Sequence, residues 1–167
     1  GRNSDHYQWR QTMKKIKLID VTDEYLNRKM NKGQFIIEEG YNKSRHMNEV
    51  KMAKWIYSTF GGDITVLVET ENVYKGKRAD YLWNDCYWEL KNTGSAKAVD
   101  SALRKGLQQI NEKPGGIILD LGKCKDSISR IESVIKERIR KSCRFSIDII
   151  IVHHHSFEKV LRYTYKK

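Results

Sequence analysis

Arg78-Ala79-Asp80-Tyr81-Leu82-Trp83, Asn84-Asp85, Cys86-Tyr87-Trp88-Glu89-Leu90-Lys91 reads as a β-hairpin. Both halves are short aromatic and apolar runs, and Asn-Asp between them suits a two-residue turn. With that turn Trp83 faces Cys86, Leu82 faces Tyr87, Tyr81 faces Trp88 and Asp80 faces Glu89. Side chains alternate faces along a strand, so Asp80, Glu89 and Lys91 share one face while Trp83 and Trp88 take the other, where core packing is expected. Like charges directly opposite each other destabilise a strand pair by up to about 1 kcal/mol. A divalent cation between the two carboxylates would offset that repulsion, and Lys91 would stand beside it. The plain alternative is a hairpin whose carboxylates splay into water, and the hairpin alone leaves both readings open.

The remaining composition narrows the class. A chain of 167 residues, 39% hydrophobic, is long enough to bury a core. Its formal net charge of +11 lies outside the usual magnitude of about 2 to 8 for small soluble domains, so a polyanionic partner is expected, nucleic acid first and an anionic membrane surface second. Cys86, Cys124 and Cys143 are odd in number, widely spaced and without a Cys-x-x-Cys pair. They read as buried thiols of a protein working in a reducing compartment, not as a disulfide framework or zinc site. No apolar run is long enough to span a membrane, and no signal peptide is evident. The start at Gly1-Arg2-Asn3-Ser4 suggests a piece of a longer polypeptide, or equally a processed or engineered end.

Proline occurs once, at Pro114, and there is no linker or repeat. The division expected is a basic lead-in over residues 1–43, with a possible helix around Thr22 to Met30, and one domain over 44–167. From Ser44 a helix runs to about Phe60 and stops at Gly61-Gly62. Ile64 to Thr70 is a strand, and the hairpin follows. Ala96 to about Lys113 is a second helix with Val99, Leu103, Leu107 and Ile110 on one face, ended by Pro114-Gly115-Gly116. Ile117 to Leu121 is a strand, Ser127 to Lys141 a third helix, and Phe145 to Val152 a strand apolar on both faces and therefore central. The tail from Phe157 is short and aromatic-basic. This order implies an α/β sandwich with a mixed sheet and helices on both faces.

Glu49, Ala53, Ile56 and Phe60 fall on one line of the first long helix, which sets a carboxylate on an apolar stripe. It either serves the helix dipole from the solvent side or joins Asp80 and Glu89. At this point the chain resembles the PD-(D/E)XK nuclease superfamily. Asp80 and the triplet Glu89-Leu90-Lys91 stand for its signature, Glu49 for the acidic residue often found on its first core helix, and Ala79 replaces the usual proline. The pattern His46-Met47-Asn48-Glu49, Ala53-Lys54-Trp55-Ile56, Ala79-Asp80-Tyr81-Leu82, Trp88-Glu89-Leu90-Lys91 and Gln108-Gln109 is similar to C-terminal tRNase toxin domains of contact-dependent growth inhibition systems. The resemblance covers about residues 44 to 121.

The resemblance implies an αβββαβ core with a mixed central sheet flanked by helices, and a metal-dependent phosphodiester hydrolase. Asp80 and Glu89 offer hard oxygen ligands suited to Mg²⁺ or Mn²⁺, and the main-chain carbonyl of Leu90 is implied as a further ligand. Glu49, Asp80, Glu89 and Lys91 are the expected catalytic set. Lys91 would act on the attacking water or on transition-state charge. Thr93 is a candidate phosphate contact or a helix cap. Gln108 and Gln109 are candidate substrate contacts or solvent-facing amides, and His46 is a candidate acid or base or an exposed helix-start histidine. His153-His154-His155, taken as consecutive strand residues on alternate faces, is a poor site for one ion. Arg104, Lys105, the run from Lys136 to Lys141 and Lys166-Lys167 are phosphate contacts or ordinary helix-surface charge. The expected substrate is RNA, with tRNA favoured, cut in the cytoplasm of a target bacterial cell by part of a larger secreted or surface polypeptide. The expected protein partner is an acidic immunity protein. A DNA endonuclease with the same core, or a non-catalytic nucleic-acid-binding or phage-associated module, is the alternative.

Overall fold

In the computed structural model, which describes residues 17–28, 33–72 and 76–166, Asn84 and Asp85 take φ of 50° and 65°. This is the left-handed pair that lets a two-residue turn follow the twist of its strands. They join β6 (Tyr81–Trp83) to β7 (Cys86–Asn92) in the expected register, with Trp83 opposite Cys86, Leu82 opposite Tyr87 and Tyr81 opposite Trp88. A slip of one residue would invert every side chain, so this turn decides which face receives the carboxylates.

Around the hairpin lies an eight-stranded sheet. Its middle is parallel: β7, β8 (Pro114–Asp120) and β9 (Ile147–His153). On one side β10 (Ser156–Tyr163) and β1 (Ile19–Asp20) add antiparallel. On the other, β6 pairs antiparallel with β3 (Ile64–Val66), which pairs parallel with β2 (Phe35–Ile37). A separate small ribbon, β4 (Glu71–Asn72) with β5 (Gly76–Lys77), precedes the hairpin.

Helices cover both faces. α1 (Thr22–Leu26) and α2 (Met47–Phe60) pack Tyr25, Ala53, Ile56 and Phe60 on Trp83, Trp88, Leu90, Ile118 and Ile150. α3 (Ala96–Gln109) and α4 (Ile128–Ser142) pack Val99, Leu103, Leu107, Ile131, Ile135 and Ile139 on Ile117, Leu119, Ile149 and Ile151. Alternate residues of β8 and β9 thus enter opposite cores, which is why these strands read as unbroken apolar runs. The result is the mixed α/β sandwich expected from the order of elements.

Boundaries differ in instructive ways. α2 starts at Met47 instead of Ser44 and stops at Gly61, whose φ of 71° ends the helix. α3 ends at Gln109, short of Lys113, because the Lys113 carbonyl accepts the Tyr87 N–H at 2.7 Å and so belongs to the sheet. Pro114-Gly115-Gly116 is the first part of β8, not simply a helix stop. A Cβ on Gly115 would lie 2.3 Å from Trp88 Nε1, and one on Gly116 2.1 Å from the Asp148 carbonyl oxygen. The glycines are the trough in which the Trp88 indole lies. The strand expected over Ile64 to Thr70 stops at Val66, and that expected from Phe145 begins at Ile147.

Three strands of the large sheet, and both strands of the small ribbon, escape sequence reading. His154 and His155 have φ of 52° and 60° and form a second two-residue turn, so the supposed tail is β10, a full strand paired with β9. The three histidines are therefore not consecutive strand residues. β1 and β2 lie ahead of residue 44, so the division after residue 43 is no break in the sheet. Met30 lies outside the described residues, and the helix begun at Thr22 is described to Leu26.

Candidate active site

Asp80 immediately precedes β6, opposite Glu89. Its main-chain N–H donates to Glu89 Oε1 at 2.9 Å, and Leu90 N–H donates to Asp80 Oδ2 at 2.8 Å. Each carboxylate is thus held by the backbone of the opposing strand. Glu89 is 1% exposed, and its Oε2 lies 3.2 Å from Lys91 Nζ. Burial, then hydrogen bonding and repulsion from the Glu89 carboxyl group, pushes the Asp80 carboxyl up to about 8. Two carboxylates this close resist joint ionisation, so near neutrality the pair retains a proton. Above Lys91 stands α3 at Gly106: a Cβ there would meet Lys91 Cε at an ordinary contact distance of 3.5 Å and crowd Ile117 Cδ1 at 3.0 Å.

Glu49 arrives from the other layer. α2 covers the Trp83 and Trp88 face, whereas Asp80, Glu89 and Lys91 lie on the α3 face. Its position in the first turn of α2 brings it to the end of β6, where Tyr81 Oη donates to its main-chain oxygen at 2.6 Å. Tyr41 Oη donates to Glu49 Oε2 at 2.6 Å. His46 stands between two acids, its Nδ1 3.7 Å from Glu49 Oε1 and its Nε2 3.7 Å from Glu69 Oε2. Burial raises the Glu49 carboxyl, the Tyr41 hydrogen bond opposes this, and the Asp80 charge adds to it. Glu49 and Asp80 therefore interact electrostatically across the end of the sheet. Lys77, 3.4 Å from Glu69 Oε1, faces the same acids. Burial pulls its ammonium down, but the charges of Glu69, Glu89 and Asp80 outweigh burial and leave it raised. Tyr41, Glu69 and Lys77 were not singled out from sequence. They sit in loops or the short ribbon, where no periodicity marks a side chain's direction.

The donor set fits a hard divalent cation. Asp80 and Glu89 present carboxylate oxygens on one face, and the charge that costs them stability is the charge a cation would neutralise. In a strand, a residue's N–H and C=O point to the same edge. The Leu90 carbonyl therefore faces the β6 side, beyond the last paired residue Tyr81. Glu49 is engaged by Tyr41 instead of standing beside the pair as a third ligand. Among the described residues no group of three His, Cys, Asp or Glu side chains is already gathered at metal-ligand spacing.

The other candidates scatter. Thr93 does not cap α3: Ser95 does, accepting from Ala98 N–H at 3.2 Å. Thr93 Oγ1 is buried without a hydrogen-bond partner, as is Gln109 Oε1. Gln108 and Gln109 line a cavity at the end of α3, together with Lys77 and Tyr87. Trp83 and Trp88 are core residues, ring centroids 4.9 Å apart. His153 Nε2 is 2.7 Å from the Cys124 carbonyl oxygen. Arg138 is bound bidentately by Asp100 and Arg140 by Glu137, and Lys141 Nζ lies 3.7 Å from Glu137 Oε1, so three cations of that run are paired. Lys167 lies outside the described residues. Among those described, no helix is long and apolar enough to cross a membrane.

No family model and no curated protein matches the chain. Among solved structures, it is similar to a chain of the CdiA-CT/CdiI toxin and immunity complex from Burkholderia pseudomallei. The identity is 12%, with 75% of this chain and 98% of that chain covered, and the TM-score is 0.49.

Proposed function

We propose that the protein is a divalent-metal-dependent nuclease of the PD-(D/E)XK type, acting as a toxin domain on RNA, with tRNA the favoured substrate. The observation that supports this most is the pair Asp80 and Glu89, locked across the hairpin by each other's backbone with the Lys91 ammonium on Glu89. A solvated hairpin face has no reason to bury Glu89 or to hold Asp80 against its own charge.

Asp80, Glu89 and the Leu90 carbonyl would hold Mg²⁺ or Mn²⁺, which supplies Lewis-acid polarisation of the scissile phosphate. Lys91 uses one donor on Glu89 and keeps two for the attacking water or a phosphate oxygen. Its positive charge is fixed where negative charge grows on the phosphorus oxygens. Glu49, positioned by Tyr41, orients water from the opposite layer. Lys77 draws the polyanion toward this acidic pair. The toxin reading rests on the motif resemblance over residues 44 to 121 and on the charge of +11. It implies an acidic immunity protein that covers the basic substrate surface and associates fast through electrostatic steering.

The test is incubation of the protein with total RNA and plasmid DNA in Mg²⁺ and in chelator. RNA cleavage in Mg²⁺ alone is expected. Cleavage of DNA alone makes it a DNA endonuclease, and binding without cleavage of either makes it a non-catalytic module.

A further inference from the structure

Beside the carboxylate pair, the cavity at the C-terminal end of α3 has a volume of about 200 Å³. That is below the roughly 300–1,000 Å³ of sites for drug-sized ligands, so it has room for one planar group and not for a whole nucleotide. Tyr87, Gln108, Gln109, Asn111 and Lys77 contribute to its wall. Tyr87 lies two residues before Glu89 on the same face of β7, which sets it about 6.5 Å along the strand from the metal-binding pair. An aromatic ring offers a stacking surface, and side-chain amides carry the donor and acceptor that match the edge of a base. Gln109 Oε1 is buried without a partner, and a turn of the terminal amide would open this acceptor to the cavity, where an incoming N–H would satisfy it. Lys77 suits the adjoining phosphate.

We propose that this cavity takes one unpaired nucleobase, from the nucleotide next to the scissile phosphate, and that the substrate is therefore a single strand or loop and not a continuous duplex. A base paired and stacked in a duplex cannot enter a recess in the protein surface without being extruded. The proposal rests on the nuclease reading above, and two experiments separate their failures. In the first, the protein in Mg²⁺ is given oligonucleotides of one sequence in single-stranded, loop and fully paired form, with the bases flanking the cut permuted. Unpaired substrates are expected to be cut about tenfold faster than the duplex, with a preference for one base at one flanking position. Gln109→Leu and Asn111→Ala are expected to reduce that preference by about tenfold, the scale of a lost base-edge contact. Equal cutting of the duplex, or a base preference unaltered in both variants, overturns the proposal. The second experiment needs no cleavage: Glu89→Gln protein is titrated with AMP, CMP, GMP and UMP while NMR follows the side-chain amides. Shifts at Gln109 and Asn111 with one nucleotide before the others support the cavity, even if the wild type cuts neither RNA nor DNA and the nuclease reading falls. Absence of shifts at those amides overturns the cavity, even if the wild type cuts.

Discussion

At the scale of single residues, Asp80 carries a pH signature. Its folded carboxyl lies above the ordinary 3.8, so folding favours the protonated form. The associated stability is full below pH 3.8 and is lost as the pH climbs through about 8. Melting temperature in chelator is expected to fall over that window, with the fall largely removed by saturating Mg²⁺ or Mn²⁺, because a cation replaces the proton. A flat profile in chelator contradicts the carboxylate pairing. Asp80→Asn keeps an acceptor for Leu90 N–H but removes the charge. It is expected to raise metal-free stability at pH 8 while lowering cleavage by about 10²- to 10³-fold, the scale of losing one electrostatic group at a reacting centre. Undiminished cleavage would end the metal mechanism. Lys91→Met leaves the buried Glu89 without its cation, costing at most about 3 kcal/mol given that Lys91 is partly solvated. It is expected to lower single-turnover rate by orders of magnitude with substrate affinity within a few-fold. A fall in affinity at unchanged saturated rate would make Lys91 a binding residue only.

At the scale of elements, the hairpin is aligned by contacts on both of its faces. Trp88 holds β7 on one face through the glycine trough of β8, and Lys91 emerges beneath Gly106 of α3 on the other. Gly116→Ala puts a Cβ 2.1 Å from the Asp148 carbonyl oxygen and 2.5 Å from Trp88 Cζ3, neither of which is a flexible side-chain end. A loss of about 1–3 kcal/mol or more in denaturant unfolding is expected, the range for overpacking a core; an unchanged midpoint would show that β8 and β9 can part without cost. Much of this level was legible from residue types. The hairpin register followed from Asn84-Asp85 and the alternation around it, and three long helices followed from their apolar stripes. The second hairpin was hidden because His154-His155 lacks the Asn or Gly that usually marks such a turn. β1 and β2 are two and three residues long, too short for alternation to register.

At the scale of the whole molecule, the charge of +11 sets the terms of association. Affinity for nucleic acid is expected to fall linearly in log salt as counterions are released, and a salt-independent affinity would remove nucleic acid as the main partner. Expression of the chain without an immunity partner is expected to arrest growth, and Glu89→Gln to relieve the arrest with the protein still folded. Harmless expression of the soluble wild type would end the toxin reading and leave a regulated or phage-associated nuclease as the better one.

The sequence by itself determined the hairpin, its register and the shared face of Asp80, Glu89 and Lys91, because a two-residue turn and the period of a strand are local and rigid. It also determined the sandwich class, since apolar runs on parallel strands require cover on both faces. Tertiary structure alone decided that Glu49 approaches from the layer opposite the carboxylate pair, that Tyr41 holds it there, and that Lys77 and Glu69 join from a ribbon and a loop. It also decided that Gln109 closes on a cavity beside the hairpin. These positions depend on how the end of one helix meets the end of a strand. That meeting is fixed by the packing of distant side chains, and no spacing along the chain encodes it.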